Sequence, residues 1–162
     1  MKVLTILGGV IVAGVAIGAV GLALLNRAQG DRSVASPDLA AGRLAPCPES
    51  PNCVSTQAPE SDDAHAVEPI PYRGDQSAAV AAIVAVLEAQ PRTVIVERGA
   101  GFVRAQARSA VFGFVDDVDF WVPAGQNVVH MRSASRVGQG DMGVNRRRYR
   151  RIRAALEERM TS

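Results

Sequence analysis

Hydrophobic and polar positions change rhythm several times along the chain. From Val3 to Leu25 no charged residue interrupts 23 positions, enough apolar length to cross a bilayer core as a helix. Gly8, Gly9, Gly14, Gly18 and Gly21 within it suit a membrane helix better than a soluble one. A helical period starts after Asp75-Gln76-Ser77, where Asp75 or Ser77 serves as N-cap. Val80, Ile83, Val84 and Leu87 then fall on one stripe, and Gln90-Pro91 is the stop.

From there the period becomes two. Thr93 to Glu97 is rich in β-branched residues and reads as a strand, with a turn at Gly99-Ala100-Gly101. Phe102 to Ser109 sets Arg104, Gln106 and Arg108 against Val103, Ala105 and Ala107. Phe114 to Val122 sets Val118, Phe120 and Val122 against Asp117, Asp119 and Trp121. Pro123 to Asn127 turns the chain into a fourth strand, Val128 to Ser135. The helical period returns from about Val144 to Met160, where Tyr149, Ile152, Leu156 and Met160 face the sheet.

Four consecutive strands joined by short turns predict an antiparallel meander. The expected fold class is α+β, a four-stranded antiparallel meander with two helices packed on one face (α-β-β-β-β-α), preceded by an N-terminal transmembrane helix. Arg and Asp side chains then occupy the opposite sheet face. Residues 1–26 form the transmembrane anchor or signal segment, 27–44 a linker and 45–160 the folded domain. A cleavable signal peptide competes with the anchor, but its apolar region usually runs about 7–15 residues, whereas this run continues to Leu25.

Composition alters this picture locally. The net charge of +2 conceals seven Arg and two Glu between Gly143 and Ser162. Every basic residue except Lys2 is Arg, which favours bidentate pairing with carboxylate or phosphate and also follows from a GC-rich coding sequence. Lys2 precedes the apolar run and Arg27 and Arg32 follow it, so flanking charge leaves orientation balanced. The cysteines tip it outward. Cys47 and Cys53, the only two, stand in a stiff loop with Pro46, Pro48, Pro51 and Asn52. A disulfide in an oxidising compartment is the natural reading. Metal binding with His65 or His130 is the lesser alternative, because C-x5-C matches no common zinc knuckle. A reactive Cys53 thiol is another. Thr56 to Tyr72, acidic and proline-rich, reads as surface loop with His65 solvated, running extended from Val67 to Tyr72.

Candidate chemistry concentrates where the fourth strand crosses into the last helix, from Arg132 to Arg148. Arg146, Arg147 and Arg148 at a helix start oppose its dipole by about 0.3–1 kcal/mol each, which calls for nearby anions. One reading supplies them from within the chain, as a charge network of Arg104, Arg108, Asp116, Asp117, Asp119 and Asp141. The other is a bound anion held by Arg132, Ser133, Ser135, Arg136, Gly138, Asn145 and Arg146, with backbone N–H groups of the glycine turn and helix start contributing. Gly138-x-Gly140-x-x-Gly143 follows a meander and lacks a βαβ unit, so it is no dinucleotide fingerprint. Catalysis by Asp116, Asp117 or Asp119 with Ser133, Ser135 and His130 nearby would need perturbed carboxylates in a cleft. No cofactor and no metal site is expected. His130 reads as a half-buried strand residue and Trp121 as packing.

Three blocks resemble the domain of unknown function 1499 family, in the family's order: Pro46-Cys47-Pro48-x-x-Pro51-Asn52-Cys53-Val54-Ser55, Phe112-x-Phe114-Val115-Asp116-Asp117-Val118-Asp119-Phe120, and Arg132-Ser133-x-Ser135-Arg136-x-Gly138-x-x-Asp141-x-Gly143-x-Asn145-Arg146. The resemblance covers roughly Leu44 to Leu156 and implies export, since members commonly follow a signal or membrane segment. It implies no activity. Small residues at Ser109, Ala110 and Gly113 depart from the pattern.

The expectation is an inner-membrane-anchored domain facing the periplasm or cell exterior, tethered through residues 3–25. It binds, without catalysis, an anionic small molecule, lipid headgroup, envelope component or partner protein, and no nucleic acid. An Asp-dependent hydrolase or transferase acting on a phosphorylated substrate, or a purely structural module, are the alternatives.

Overall fold

The computed structural model describes residues 36–110 and 113–160. The expected membrane segment, its signal-peptide alternative, the first half of the linker and Phe112 lie outside the described residues. Among those described, no helix is long and apolar enough to cross a membrane.

The elements run β1 (Cys53–Ser55), β2 (Ile70–Pro71), α1 (Gln76–Glu88), β3 (Thr93–Gly99), β4 (Phe102–Arg108), β5 (Val115–Trp121), β6 (Val128–Ser135) and α2 (Val144–Met160). The meander and both helices stand where the periodicity puts them, but the sheet has six strands where four were expected. Its order is β1-β6-β5-β4-β3, with β2 also on β6, and every pairing is antiparallel. β1 pairs through Cys53↔Ala134, Val54↔Ser133 and Ser55↔Arg132. β2 continues along the same edge through Ile70↔Val129. Segments of three and two residues are too short to display a period, and only the β6 edge makes them strands.

Both helices cover one sheet face. Ile83 and Leu87 of α1 and Tyr149, Ile152 and Leu156 of α2 share one core with Val103, Ala105, Val118, Phe120 and Met131. Burying each large apolar side chain contributes about 1.5–3 kcal/mol. Asp75 caps α1, accepting from Ala78 N at 2.7 Å. The buried stripe of α1 is Ala79, Ile83, Val86 and Leu87, with Val80 and Val84 only partly buried. This rotates the helix slightly from the expected face. α2 begins after Gly143, with Val144 N donating to Asp141 O.

The opposite sheet face carries Arg104, Asp117, Asp119, Trp121 and Arg132, as the alternation requires. A strap covers part of it. Residues expected to end a tether instead form a turn at Asp38–Arg43, and Leu44 and Ala45 are buried. The Gln57 side chain clasps the strap, accepting from Leu44 N at 2.7 Å and donating to Gly42 O at 2.8 Å. The Cys47–Cys53 disulfide staples it to β1, with the Cα atoms 5.7 Å apart. At the far edge β3 carries an irregularity between Ile95 and Glu97 and leaves Val94 and Val96 exposed.

Candidate functional site

The crossing from β6 into α2 is built from inward-facing polar groups. Period-two geometry sends Asp116 to the helix-covered face and Asp117 and Asp119 to the other. Asp116 therefore meets α2: Arg148 Nη2 donates to its Oδ2 at 2.5 Å. Arg148 Nη1 also donates to Asn145 Oδ1 at 2.6 Å and Ser133 Oγ at 3.0 Å. Ser133 Oγ donates to Asn145 Oδ1 at 2.6 Å. Asn145 Nδ2 lies within reach of Asn52 O, Ser135 Oγ and Asp141 Oδ2. The Asp141 carboxylate accepts from Gly143 N and Asn145 N, so it occupies the orphan donors of the helix start.

On the opposite face Arg104 grips Asp119 with two bonds, 2.6 and 3.1 Å, and Asp119 is fully buried. Arg136 grips Asp117 with two bonds of 2.8 Å. Arg132 is different. Its Nη1 stands 3.9 Å from Asp119 Oδ2, within ion-pair range but beyond hydrogen-bond reach. Its Nη2 makes one long bond of 3.4 Å to Pro46 O, and its Nε and Nη1 have no hydrogen-bond partner among the described residues. Burial pushes its pKa down, with Asp119 and Asp117 opposing.

The residues expected to hold an anion are thus divided between the two sheet faces, and most are engaged by other groups of the chain. Ser133, Ser135 and Asn145 form one polar cluster, and Arg136 is engaged by Asp117. The Gly138 carbonyl accepts from Asn52 Nδ2 at 2.7 Å. Arg146 donates to the backbone carbonyls of Asp63, Ala64 and Ala66, pinning the loop that precedes β2. Of the residues expected in the charge network, Arg108 joins none of these ion pairs among the described residues, and Asp141 serves as a cap. His65, expected in solvent, is buried: Nδ1 meets Asp62 at 2.8 Å and Nε2 meets Ser50 O at 3.1 Å. Burial opposes its protonation, but the Asp62 and Ser50 bonds outweigh that and raise its pKa. His130 is half-buried, with Nδ1 3.2 Å from Thr56 Oγ1, and desolvation lowers its pKa. No group of metal-ligating side chains occurs among the described residues.

An open site lies one step away. Where α1 ends, β3 begins, β4 ends and α2 starts, a cleft of about 600 Å³ opens. It is lined by the exposed Arg92, Arg108 and Arg151, by the buried Arg148, which Asp116 holds, and by Leu87, Ala107, Val118, Val144 and Ile152, of which Leu87, Val118 and Ile152 are almost fully buried. No acidic residue lines it among the described residues. Arg92 has φ 57°, a left-handed turn conformation that carries the chain from α1 into β3. Its Nε donates to Arg108 O at 3.3 Å, and Arg151 Nε donates to Gln90 Oε1 at 2.9 Å. Neither Arg92 nor Arg151 stood out in the sequence. The signals were present: an Arg directly after the Gln90-Pro91 stop, and another one turn beyond the arginine run.

Two further clefts are electrically balanced. One, of about 700 Å³, sets Glu60, Asp63 and Glu68 against Arg146, Arg150 and Arg153. The other, about 540 Å³ beside the strap, has Arg43 and Asp62.

A family profile described as "Protein of unknown function (DUF1499)" matches residues 43–156. No curated protein and no solved structure matches the chain.

Proposed function

The chain belongs to the DUF1499 family, whose description names no activity, and from the arginine-lined cleft beside the start of α2 we propose that it is a membrane-tethered extracytoplasmic module that binds an anionic ligand without catalysis. The observation that carries this reading is the set of exposed arginines, Arg92, Arg108 and Arg151, around the cleft, with no acidic residue lining it among the described residues. Guanidinium forks match carboxylate and phosphate oxygens. The Cys47–Cys53 disulfide supports an oxidising compartment, and the uncharged run from Val3 to Leu25 supports the tether.

Hydrolysis by the aspartates fits less well. Asp116 points to the face opposite Asp117 and Asp119, so it forms no carboxylate pair with either. Each is buried and engaged by an arginine, and none lines the three clefts.

The test is a titration of the full chain in nonionic micelles with inorganic phosphate and with dodecanoate, followed by backbone amide resonances. Saturable shifts at Thr93, Arg108 and Val144, lost in Arg108→Gln/Arg151→Gln, are expected. No saturable response to either anion would overturn the proposal.

A further inference from the structure

One end of the domain gathers exposed cations and exposed apolar side chains. There Arg108 finishes β4, Phe114 precedes β5, and the loop through Met142 joins β6 to α2. Arg108 N donates to Arg92 O and Ser109 N to Phe114 O, so the starts of β3 and β5 sit at this end too. Met142 is 89% exposed and Phe114 37%, and Arg92, Arg108, Arg147 and Arg151 are exposed on the same end. On the premise of the tethered, anion-binding reading above, we infer that this end docks on an anionic lipid bilayer. Met142 and Phe114 enter the headgroup layer, and the four arginines meet lipid phosphates.

The chemistry of this end fits a bilayer better than a soluble anion. Met142 sits at the crossing with φ 51°, a conformation that glycine takes more cheaply, and it holds a large apolar side chain in water. Arg147 Nη1 donates to Met142 O at 2.7 Å, which sets a guanidinium beside the methionine. The aspartates of the same elements are turned inward. Asp116 and Asp117 bind Arg148 and Arg136, and Asp141 accepts from Gly143 N and Asn145 N. The arginines left outside are what an anionic surface attracts, and apolar side chains among cations hold interfacial segments in headgroups. A small soluble anion makes no use of Met142.

The tether is long enough. A Cβ on Gly42 of the strap would stand 3.9 Å from Trp121 Nε1, and Trp121 ends β5, roughly 23 Å by strand rise from Phe114. Residues 26–35 separate the apolar run from the described strap and reach about 35 Å at full extension. The docking end can therefore meet the same bilayer that holds Val3 to Leu25.

The experiment places the full chain, with methyl-labelled methionines, in nanodiscs of phosphatidylcholine alone or mixed with phosphatidylglycerol. A spin-labelled lipid supplies the relaxation probe. With phosphatidylglycerol present, the Met142 methyl is expected to relax at least about tenfold faster than that of Met160, which lies roughly 25 Å away along α2. Phosphatidylcholine alone should remove most of that difference. Arg147→Gln/Arg151→Gln should lower the docked-to-free ratio by roughly tenfold or more. The resonance of Met131, fully buried in the core, should stay in place and report an intact fold.

Equal relaxation of Met142 in both lipids would overturn the anionic assignment. Met142 relaxing no faster than Met160, while inorganic phosphate still shifts the amides of Thr93, Arg108 and Val144, would overturn docking and leave anion binding standing. No response to either lipid or phosphate would overturn both readings together. A chain that the discs do not hold at all would overturn the tether and the docking with it.

Discussion

Arg148, on the first turns of α2, donates to Asp116 of β5 at 2.5 Å across the helix–sheet interface. Both side chains are more than nine-tenths buried. Asn145 and Ser133 complete the guanidinium's partners, and Asn145 in turn reaches Asn52 O beside the disulfide. One ion pair therefore links the last helix, the sheet centre and the cysteine loop.

Breaking this pair from one side leaves a buried charge uncompensated, which costs about 3–5 kcal/mol. Asp116→Asn and Arg148→Met should each lower the stability of the full chain by that amount in denaturant unfolding. The double variant Asp116→Leu/Arg148→Met should recover most of the loss, because an apolar pair replaces the charged one. A double variant no more stable than either single would show that Asn145 and Ser133 hold the interface without the pair.

The two arginines that approach Asp119 should respond differently. Arg104 makes both of its short bonds to that carboxylate, whereas Arg132 makes neither and has two nitrogens without a hydrogen bond among the described residues. Arg104→Met should cost about 3–5 kcal/mol, by stranding Asp119. Arg132→Met should stay within about 1 kcal/mol of the parent or stabilise it, because it removes an under-bonded buried cation. Equal losses in unfolding experiments would refute the distinction.

The meander and both helices were legible because period two and period 3.6 persist over seven or more residues in each. β1 was not, and β2 only as an extended stretch, since the pairing of each is defined by its partner strand. The arginines and aspartates of the crossing were legible as a group, but their pairing was not. Alternation puts Asp116 and Asp117 on opposite faces, yet which arginine reaches which face depends on where α2 lands. Arg92 and Arg151 lie 59 positions apart in sequence and meet only because α1 and α2 share a sheet face. His65 looked solvated because its composition is that of a loop. Arg146 folds that loop inward through three carbonyls.

Gly101 joins β3 to β4 with φ 78°, a conformation that side chains rarely adopt. A Cβ there would stand 2.6 Å from Val122 O and 2.5 Å from Gln76 Nε2. Gln76 can swing away, but the Val122 carbonyl belongs to the backbone and receives the Gln76 side chain's hydrogen bond at 2.6 Å. Gly101→Ala should therefore destabilise by more than the roughly 1–2 kcal/mol that the left-handed conformation alone costs a side chain. Calorimetry of the full chain would check it, with Gly125→Ala as the comparison, whose Cβ meets nothing within 4 Å.

The disulfide closes a short ring, and its loop entropy corresponds to roughly 2–2.5 kcal/mol. Cys47→Ser/Cys53→Ser should lose about that much and free the strap at Pro46, while β1 keeps its pairing to β6. Limited proteolysis should then cut within residues 38–47 first. Cleavage beginning in β1 instead would mean that the disulfide holds the sheet edge rather than the strap.

The two histidines should titrate on opposite sides of the ordinary value of about 6.5. His65 is raised, the Asp62 and Ser50 bonds outweighing burial, and Asp62 is lowered chiefly by its bond to His65. A raised histidine adds stability that is complete below its unfolded pKa and disappears as pH rises through its folded one. A lowered aspartate adds stability above about 3.9 that disappears as pH falls through its folded value. The Asp62–His65 clasp is therefore strongest between about pH 4 and 6.5, and loosens as His65 deprotonates. Nearby Arg146 works against protonation. His130 is lowered by desolvation alone, so it opposes folding as pH falls below the unfolded value. NMR titration of the imidazole protons should give one histidine above and one below that value, and Asp62→Asn should bring the higher one down. Two coincident titrations would mean that the loop carrying His65 opens in solution and that its bonds to Asp62 and Ser50 are not held there.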